Sequence, residues 1–171
     1  MDIQKAHYIV VTGILVKDGK YLIAKRAPTE KAFPNQWTVP GGKLEAKDYL
    51  NKPKDTTQHW YNVLETVLKR EIKEEVNLEI TNICYVCSLV YMRSDNIPCL
   101  IISLYATPTT NNIILSKELT EYAYVTLEQA KSYNLVEGLF DELLMLDTFL
   151  KTGKHMVWKN KNRIHTLEHN Q

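Results

Sequence analysis

Glycine and proline are scarce in this chain, six of each in 171 residues. A collagen-like or low-complexity polymer is thereby excluded, and every glycine cluster becomes worth reading. Cysteine is scarcer still. Cys84, Cys87 and Cys99 make an odd count, so there is no paired disulfide framework. Cys84 and Cys87 lie in a strand-like run with no second pair, which argues against zinc. Reduced thiols and a cytoplasmic location are the expectation. Net charge is +1 and the pI about 7.7, so there is no broad attraction to nucleic acid or anionic membrane. No apolar run reaches 18 residues, which leaves no spanning helix to expect. Met1 to Lys5 lacks the charged and apolar regions of a signal peptide. The five histidines, at 7, 59, 155, 165 and 169, show no metal-like pairing.

What is present is an acidic constellation in two pieces. Pro40-Gly41-Gly42-Lys43-Leu44-Glu45 is followed, after a gap, by Arg70-Glu71-Ile72-Lys73-Glu74-Glu75-Val76-Asn77-Leu78. Glu71, Glu74 and Glu75 stand at i, i+3 and i+4, neighbours on one helix face. At the helical period Leu64, Leu68, Ile72 and Val76 form an apolar stripe. Glu71 falls at its edge, and Glu75 falls inside it. A buried carboxylate is costly without a partner, and a hard cation such as Mg²⁺ or Mn²⁺ supplies one. A glycine turn upstream lets backbone approach the same ion or a phosphate. Alone, R-E-x-x-E-E is more often a solvated helix face. A strand-like Trp37-Thr38-Val39, the Pro-Gly-Gly turn, an acidic residue and this helix together carry more weight.

That combination resembles the Nudix hydrolase family, whose box reads G-x5-E-x7-R-E-U-x-E-E-x-G-U, with U aliphatic. Gly42 matches the first glycine. Arg70, Glu71, Ile72, Glu74, Glu75 and Leu78 match the second half, and the resemblance spans about residues 5 to 150. Three departures stand out. Arg70 follows Gly42 by 28 residues where the box has 14, an insertion of 14. The first box glutamate, which orients the arginine, falls on Asp48 counting forward or on Asn62 counting back. The last box glycine is Asn77, a residue that tolerates the left-handed turn ending a helix.

The resemblance implies an α/β fold, an α/β/α sandwich with a mixed sheet and a loop-helix-loop catalytic motif, over residues 1–151. A polar tail covers 152–171, either mobile or packed on a partner. It implies a Mg²⁺-dependent hydrolase of a diphosphate linkage in a nucleoside diphosphate joined to another moiety. The substrate class runs from NTPs and dNTPs to nucleotide sugars and ADP-ribose types. The alternative is a nucleotide-binding sensor or scaffold. Glu71, Glu74, Glu75 and the Gly41 carbonyl are the implied metal ligands, with Mn²⁺ as a substitute ion. Glu71, Glu75 or a loop glutamate is the implied base. The helical wheel points Arg70 away from the carboxylates, and the resemblance implies that it ties the helix to the glycine loop.

Substrate-facing candidates are Gly42, then Arg26 at a strand end, and Phe33 and Trp37, which border the glycine turn. Glu118 and Glu121, in a loop before the last strand, complete them. A small-molecule nucleotide substrate is expected, without nucleic acid or membrane, and a homodimer is compatible.

The rest reads as alternating elements. Strands are expected at Tyr8 to Val16 and Tyr21 to Lys25 around an Asp18-Gly19 hairpin turn, and at Ile83 to Met92, Cys99 to Ala106 and Tyr122 to Thr126. A largely buried helix is expected at Glu137 to Leu150. In the insertion, Asp55 and Gln58 read as a capping box that starts the long helix near Thr56. Tyr49, Trp60 and Tyr61 either stack on substrate or pack that helix onto the body.

Overall fold

A computed structural model describes residues 6–159. The first strand, β1 (Tyr8–Lys17), turns through Asp18 and Gly19 into β2 (Lys20–Arg26). Both turn residues have positive φ, 50° and 70°, which a tight hairpin matched to strand twist requires. Two short strands follow, β3 (Trp37–Thr38) and β4 (Gly41–Lys43), then a four-residue helix α1 (Lys47–Leu50) and the long helix α2 (Val63–Val76). Next come β5 (Ile80–Met92), β6 (Pro98–Pro108) and β7 (Leu119–Val125). The short α3 (Leu127–Ala130) and α4 (Leu139–Thr152) are the last elements among the described residues.

The strands form one seven-stranded mixed sheet with the path β3-β2-β1-β6-β5. β4 is added on β1 and β7 on β2. β1 runs parallel to β6, from Tyr8 beside Cys99 to Leu15 beside Ala106. The other pairings are antiparallel.

Alternation along the strands sends successive side chains to opposite faces, and each face has its own core. Val11, Leu15, Leu22 and Leu104 pack with Val67, Leu68, Ile72 and Val76 of α2. Ile14, Tyr21, Ile23 and Val125 pack with Leu139, Leu143 and Leu146 of α4. The result is the expected α/β/α sandwich. Gly13 is small because α2 crosses there: an added Cβ would stand 2.7 Å from Leu68 Cδ1.

Several expectations are corrected. Gly41–Lys43 is not a turn but a strand, paired with Val10–Thr12 of β1. β7 starts at Leu119, three residues early, so Glu121 lies within a strand rather than a loop.

The long helix begins at Val63, not near Thr56, because Asn62 takes a left-handed conformation (φ 52°) with no side-chain cap. The Asp55 and Gln58 capping box does not form. Asp55 Oδ2 instead accepts from Tyr61 N at 2.9 Å, and Thr56 Oγ1 accepts from His59 N at 3.0 Å. Short polar side chains often satisfy nearby backbone in this way and compete with helix. The insertion closes on itself. Trp60 Nε1 donates to the Lys52 carbonyl at 3.0 Å, and its ring lies 5.4 Å from that of Tyr49.

Asn77 does end α2 in the left-handed conformation (φ 58°), its N–H bonded to the Lys73 carbonyl. Of the tail, the segment to Trp158 lies back on α4, with His155 stacked on Phe149 and Trp158 Nε1 donating to Asp141. The rest of the tail, 160–171, and the Met1 to Lys5 reading lie outside the described residues.

Candidate active site

α2 presents its carboxylates to β4. Glu75 is 7 % exposed, and its Oε2 accepts from Gly41 N at 2.8 Å. Burial pushes its pKa up to about 7, and the charges of Glu71 and Glu118 push the same way. The Gly41 N–H and Arg26 oppose the rise. Glu71 is also raised, first by burial and then by Glu74 and Asp48, against the pull of Arg70. Glu74 is exposed. A buried carboxylate raised further by a second, partly buried one is a strained arrangement.

The two glycines fit this face in different ways. A Cβ on Gly42 would stand 2.2 Å from Glu71 Oε1, so the carboxylate lies directly over the backbone. A Cβ on Gly41 would stand 2.3 Å from the Val11 carbonyl oxygen, so the close neighbour there is backbone of β1.

Arg70 joins the two halves of the motif. Its Nε donates to Asp48 Oδ1 at 2.6 Å and its Nη2 to Asp48 Oδ2 at 3.0 Å, a two-point pair of the strong kind. Nη2 also donates to the Lys43 carbonyl at 3.1 Å. Asp48 is buried. Burial alone would raise its pKa, but Arg70, the Glu45 N–H and Lys47 hold it below the usual carboxylate value. Of the two sequence alternatives, Asp48 is the residue that meets the arginine. Asn62 only precedes α2. The insertion therefore lies between Asp48 and Arg70. The wheel reading of Arg70 is corrected as well: its Nη1 lies 2.8 Å from Glu71 and 3.0 Å from Glu74. A long side chain curls back along its own helix, which a projection of Cα positions does not capture.

A NUDIX domain model matches residues 7–143 of the chain. The chain belongs to the Nudix hydrolase family. That places it among the pyrophosphohydrolases acting on phosphoanhydride bonds.

The nucleoside triphosphatase NudI of Klebsiella pneumoniae (strain 342) is 25 % identical over 136 residues, 74 % of this chain and 86 % of that protein. NudI of Escherichia coli (strain K12 / DH10B) is likewise 25 % identical, over the same shares. Among solved structures, a NUDIX hydrolase from Alicyclobacillus acidocaldarius superposes with a TM-score of 0.69 at 12 % identity, covering 90 % of this chain and 99 % of that one. The NUDIX domain of Shewanella oneidensis NrtR, solved with ADP ribose, gives 0.61 at 16 % identity, covering 88 % and 90 %. At these identities the structures show the fold.

The remaining candidates of the Nudix reading fall in different places. Glu118 lies near enough for its charge to raise Glu75, and its segment is anchored by Ser116 N donating to the Glu75 carbonyl at 2.9 Å. Glu121 is drawn off to Lys25 at 2.7 Å across the β2–β7 pairing. Arg26 lies close enough to Glu75 to lower its pKa, yet its donors go to Glu30 (2.7 Å) and the Ala32 carbonyl (2.7 Å), closing its own loop. Phe33 leaves the glycine strand and meets Tyr91, ring centres 5.3 Å apart. Trp37 packs edge-on against Tyr133 at 4.8 Å, in the core under α4. That position serves packing rather than framing a base. Tyr49 and Trp60 pack on each other, and Tyr61 is exposed.

Among the described residues, no three acidic, histidine or cysteine side chains already stand as a metal cage. Glu71 and Glu74 are closed onto Arg70, and Glu75 onto Gly41. The donor chemistry nevertheless fits a hard divalent ion: carboxylate oxygens on one helix face, with Glu75 raised by burial and then by the charges of Glu71 and Glu118.

One acidic residue was missed by sequence reasoning. Glu142 of α4 is buried and accepts a short hydrogen bond from Ser103. The available signal was the one that found Glu75, a carboxylate inside an apolar stripe, here Leu139, Leu143 and Leu146.

Proposed function

We propose that this chain is a Mg²⁺-dependent hydrolase of the diphosphate linkage in a nucleoside diphosphate joined to another moiety, with nucleoside triphosphates the first substrates to test. The observation that carries the reading is Glu75, a carboxylate buried in the apolar face of α2, tied to Gly41 and raised toward neutrality. Keeping such a group uncompensated costs stability, and a cation-binding role accounts for it. The nucleoside triphosphatase relatives favour that substrate class.

Glu71, Glu74, Glu75 and the Gly41 carbonyl would hold Mg²⁺, with Mn²⁺ as a substitute. Bound there, the ion neutralises phosphate oxygens and acidifies water. Gly42, with no side chain, lets the Glu71 carboxylate lie over the backbone of β4, where substrate phosphate would meet both. Arg70, pinned by Asp48 and the Lys43 carbonyl, keeps the helix and glycine strand in register. Glu71, Glu75 or Glu118 takes the proton from water. Three free thiols suit a cytoplasmic setting.

A second reading, a nucleotide sensor, draws on the closed carboxylates and on the NrtR domain solved with ADP ribose. Product release from a panel of NTPs, dNTPs, nucleotide sugars and ADP-ribose, with and without Mg²⁺, separates the two. Metal-dependent turnover of one class that Glu74→Gln and Glu75→Gln abolish supports the hydrolase. Tight binding without turnover favours the sensor.

A further inference from the structure

β5 closes one end of the sheet path and pairs with β6 alone. Among the described residues, no turn or loop backbone bonds to residues 80–92. The outward N–H and C=O groups of this strand of 13 residues are therefore open. Such an edge is a template for another strand, and proteins usually blunt it with charge, proline, bulges or short length. The other edges here are blunted. β3 and β4 have two and three residues, and β7 carries Glu121. β5 has no lysine, arginine, aspartate, glutamate or proline along its length. Its irregularities lie between Thr81 and Cys87, and from Cys87 to Met92 it pairs regularly with β6, opposite Ser103 to Pro98.

The regular stretch is apolar as well as open. Ser88 lies opposite Ile102 and Val90 opposite Leu100, and Ile102 packs on the α2-side core. Opposed residues share a face, so Ser88, Val90 and Met92 form one row on the α2 side. Val90 and Met92 are 58 % and 56 % exposed. The charges that bound the strand are matched locally, Glu79 by Lys73 at 3.0 Å and Arg93 by Asp95 at 2.9 Å. A charged peptide or a nucleic acid finds no complementary charge on this edge. A second copy of the chain does fit it. Antiparallel pairing of identical strands is a closed two-fold contact, and no charge meets its like across the axis. With a net charge of +1, long-range repulsion between copies is small.

The geometry points to a two-fold dimer in which residues 87–92 of β5 pair antiparallel with the same residues of a second copy, doubling the seven-stranded sheet. An axis at Val90 sets Val90 against its copy and Ser88 against Met92, which brings the two apolar rows together. Six residues span about 20 Å and a sheet is about 10 Å thick. That contact is well under the roughly 800 Å² per partner of a stable dimer, so the association is reversible and set by concentration. The inference uses nothing of the nucleotide site.

Sedimentation velocity of the full chain from about 1 to 300 µM, the range of weak contacts, reads the association. Wild type is expected to move from monomer toward dimer across that range, and to do so in high salt, which leaves a charge-free contact intact. Val90→Lys sets two cations opposite each other and is expected to weaken the dimer at least about tenfold. At so exposed a position its thermal melt stays near that of wild type. Tyr122→Lys, at an exposed aromatic of β7, leaves the association unchanged. Amides within 87–92 exchange hydrogen more slowly at the top of the range than at the bottom, which a contact elsewhere on the surface does not produce. A monomer throughout overturns the inference. So does a dimer that Val90→Lys leaves intact, one that Tyr122→Lys weakens equally, or one without slowed exchange at 87–92. If Val90→Lys does not fold, the exchange of wild type decides.

Discussion

Asp48→Ala should both destabilise the protein and slow it. Asp48 is almost fully buried and takes two hydrogen bonds from Arg70 and one from the Glu45 N–H. Removing one partner of a fully buried ion pair typically costs about 3–5 kcal/mol. Arg70 is one-fifth exposed and retains Glu71, Glu74 and the Lys43 carbonyl, which reduces the figure to about 2–3 kcal/mol. For a domain of this size that lowers Tm by about 4–12 °C.

The pH dependence has a fixed sign. The folded pKa of Asp48 is depressed, so its contribution is complete above the ordinary carboxylate pKa and is lost as pH falls through the depressed value. The gap between wild type and Asp48→Ala should therefore hold constant from pH 6 to 8 and close in acid. Kinetically, an unpinned Arg70 is freer to stay on Glu71 and Glu74, so kcat should fall and more Mg²⁺ be needed. Asp48→Glu keeps the charge and should recover most of both losses. Thermal unfolding by circular dichroism and a Mg²⁺ titration of the rate are the assays. A Tm within 1 °C of wild type with unchanged kinetics would refute the pinning role.

Glu75→Gln should raise Tm at pH 8 without metal while abolishing turnover. A carboxylate raised to about 7 holds its proton longer folded than unfolded, so stability falls as pH climbs from about 4.5 to 7. The substitution removes that cost, and the same melts at pH 5 should show little difference. Gly42→Ala and Gly41→Ala should part company. The first pushes the Glu71 carboxylate aside and should cut kcat at least about tenfold with Tm nearly unchanged. The second meets the backbone of β1 and should destabilise by about 2 kcal/mol or more, read by urea unfolding. Replacing residues 52–60 with a short Gly-Ser linker should move Tm by only a few degrees, since the loop's hydrogen bonds are internal and closure entropy varies slowly with length. A collapse of the fold would show that the insertion braces α2.

The Asp18-Gly19 hairpin, the strand runs, the left-handed stop at Asn77 and the apolar stripe of α2 were all legible in the sequence, because each follows from local sterics or periodicity. So was Glu75 as an acid on the wrong face. The start of α2 was not. Asp55 and Thr56 fit a helix cap and a turn equally well, and the left-handed Asn62 settled the matter. The role of Arg70 was half legible: counting offered Asp48 and Asn62, and only the folded chain brings Asp48 across 22 residues to the guanidinium.

The separation of the substrate-facing candidates also depended on tertiary pairing. Phe33, Trp37, Glu118 and Glu121 look alike from sequence as polar or aromatic residues near loops. Strand register sends Glu121 to Lys25 and Trp37 under α4, and leaves Glu118 beside Glu75. Periodicity fixes which face of an element a residue occupies. What lies opposite that face is set by contacts between residues far apart in the chain, and those placed Glu142 of α4 against Ser103 of β6.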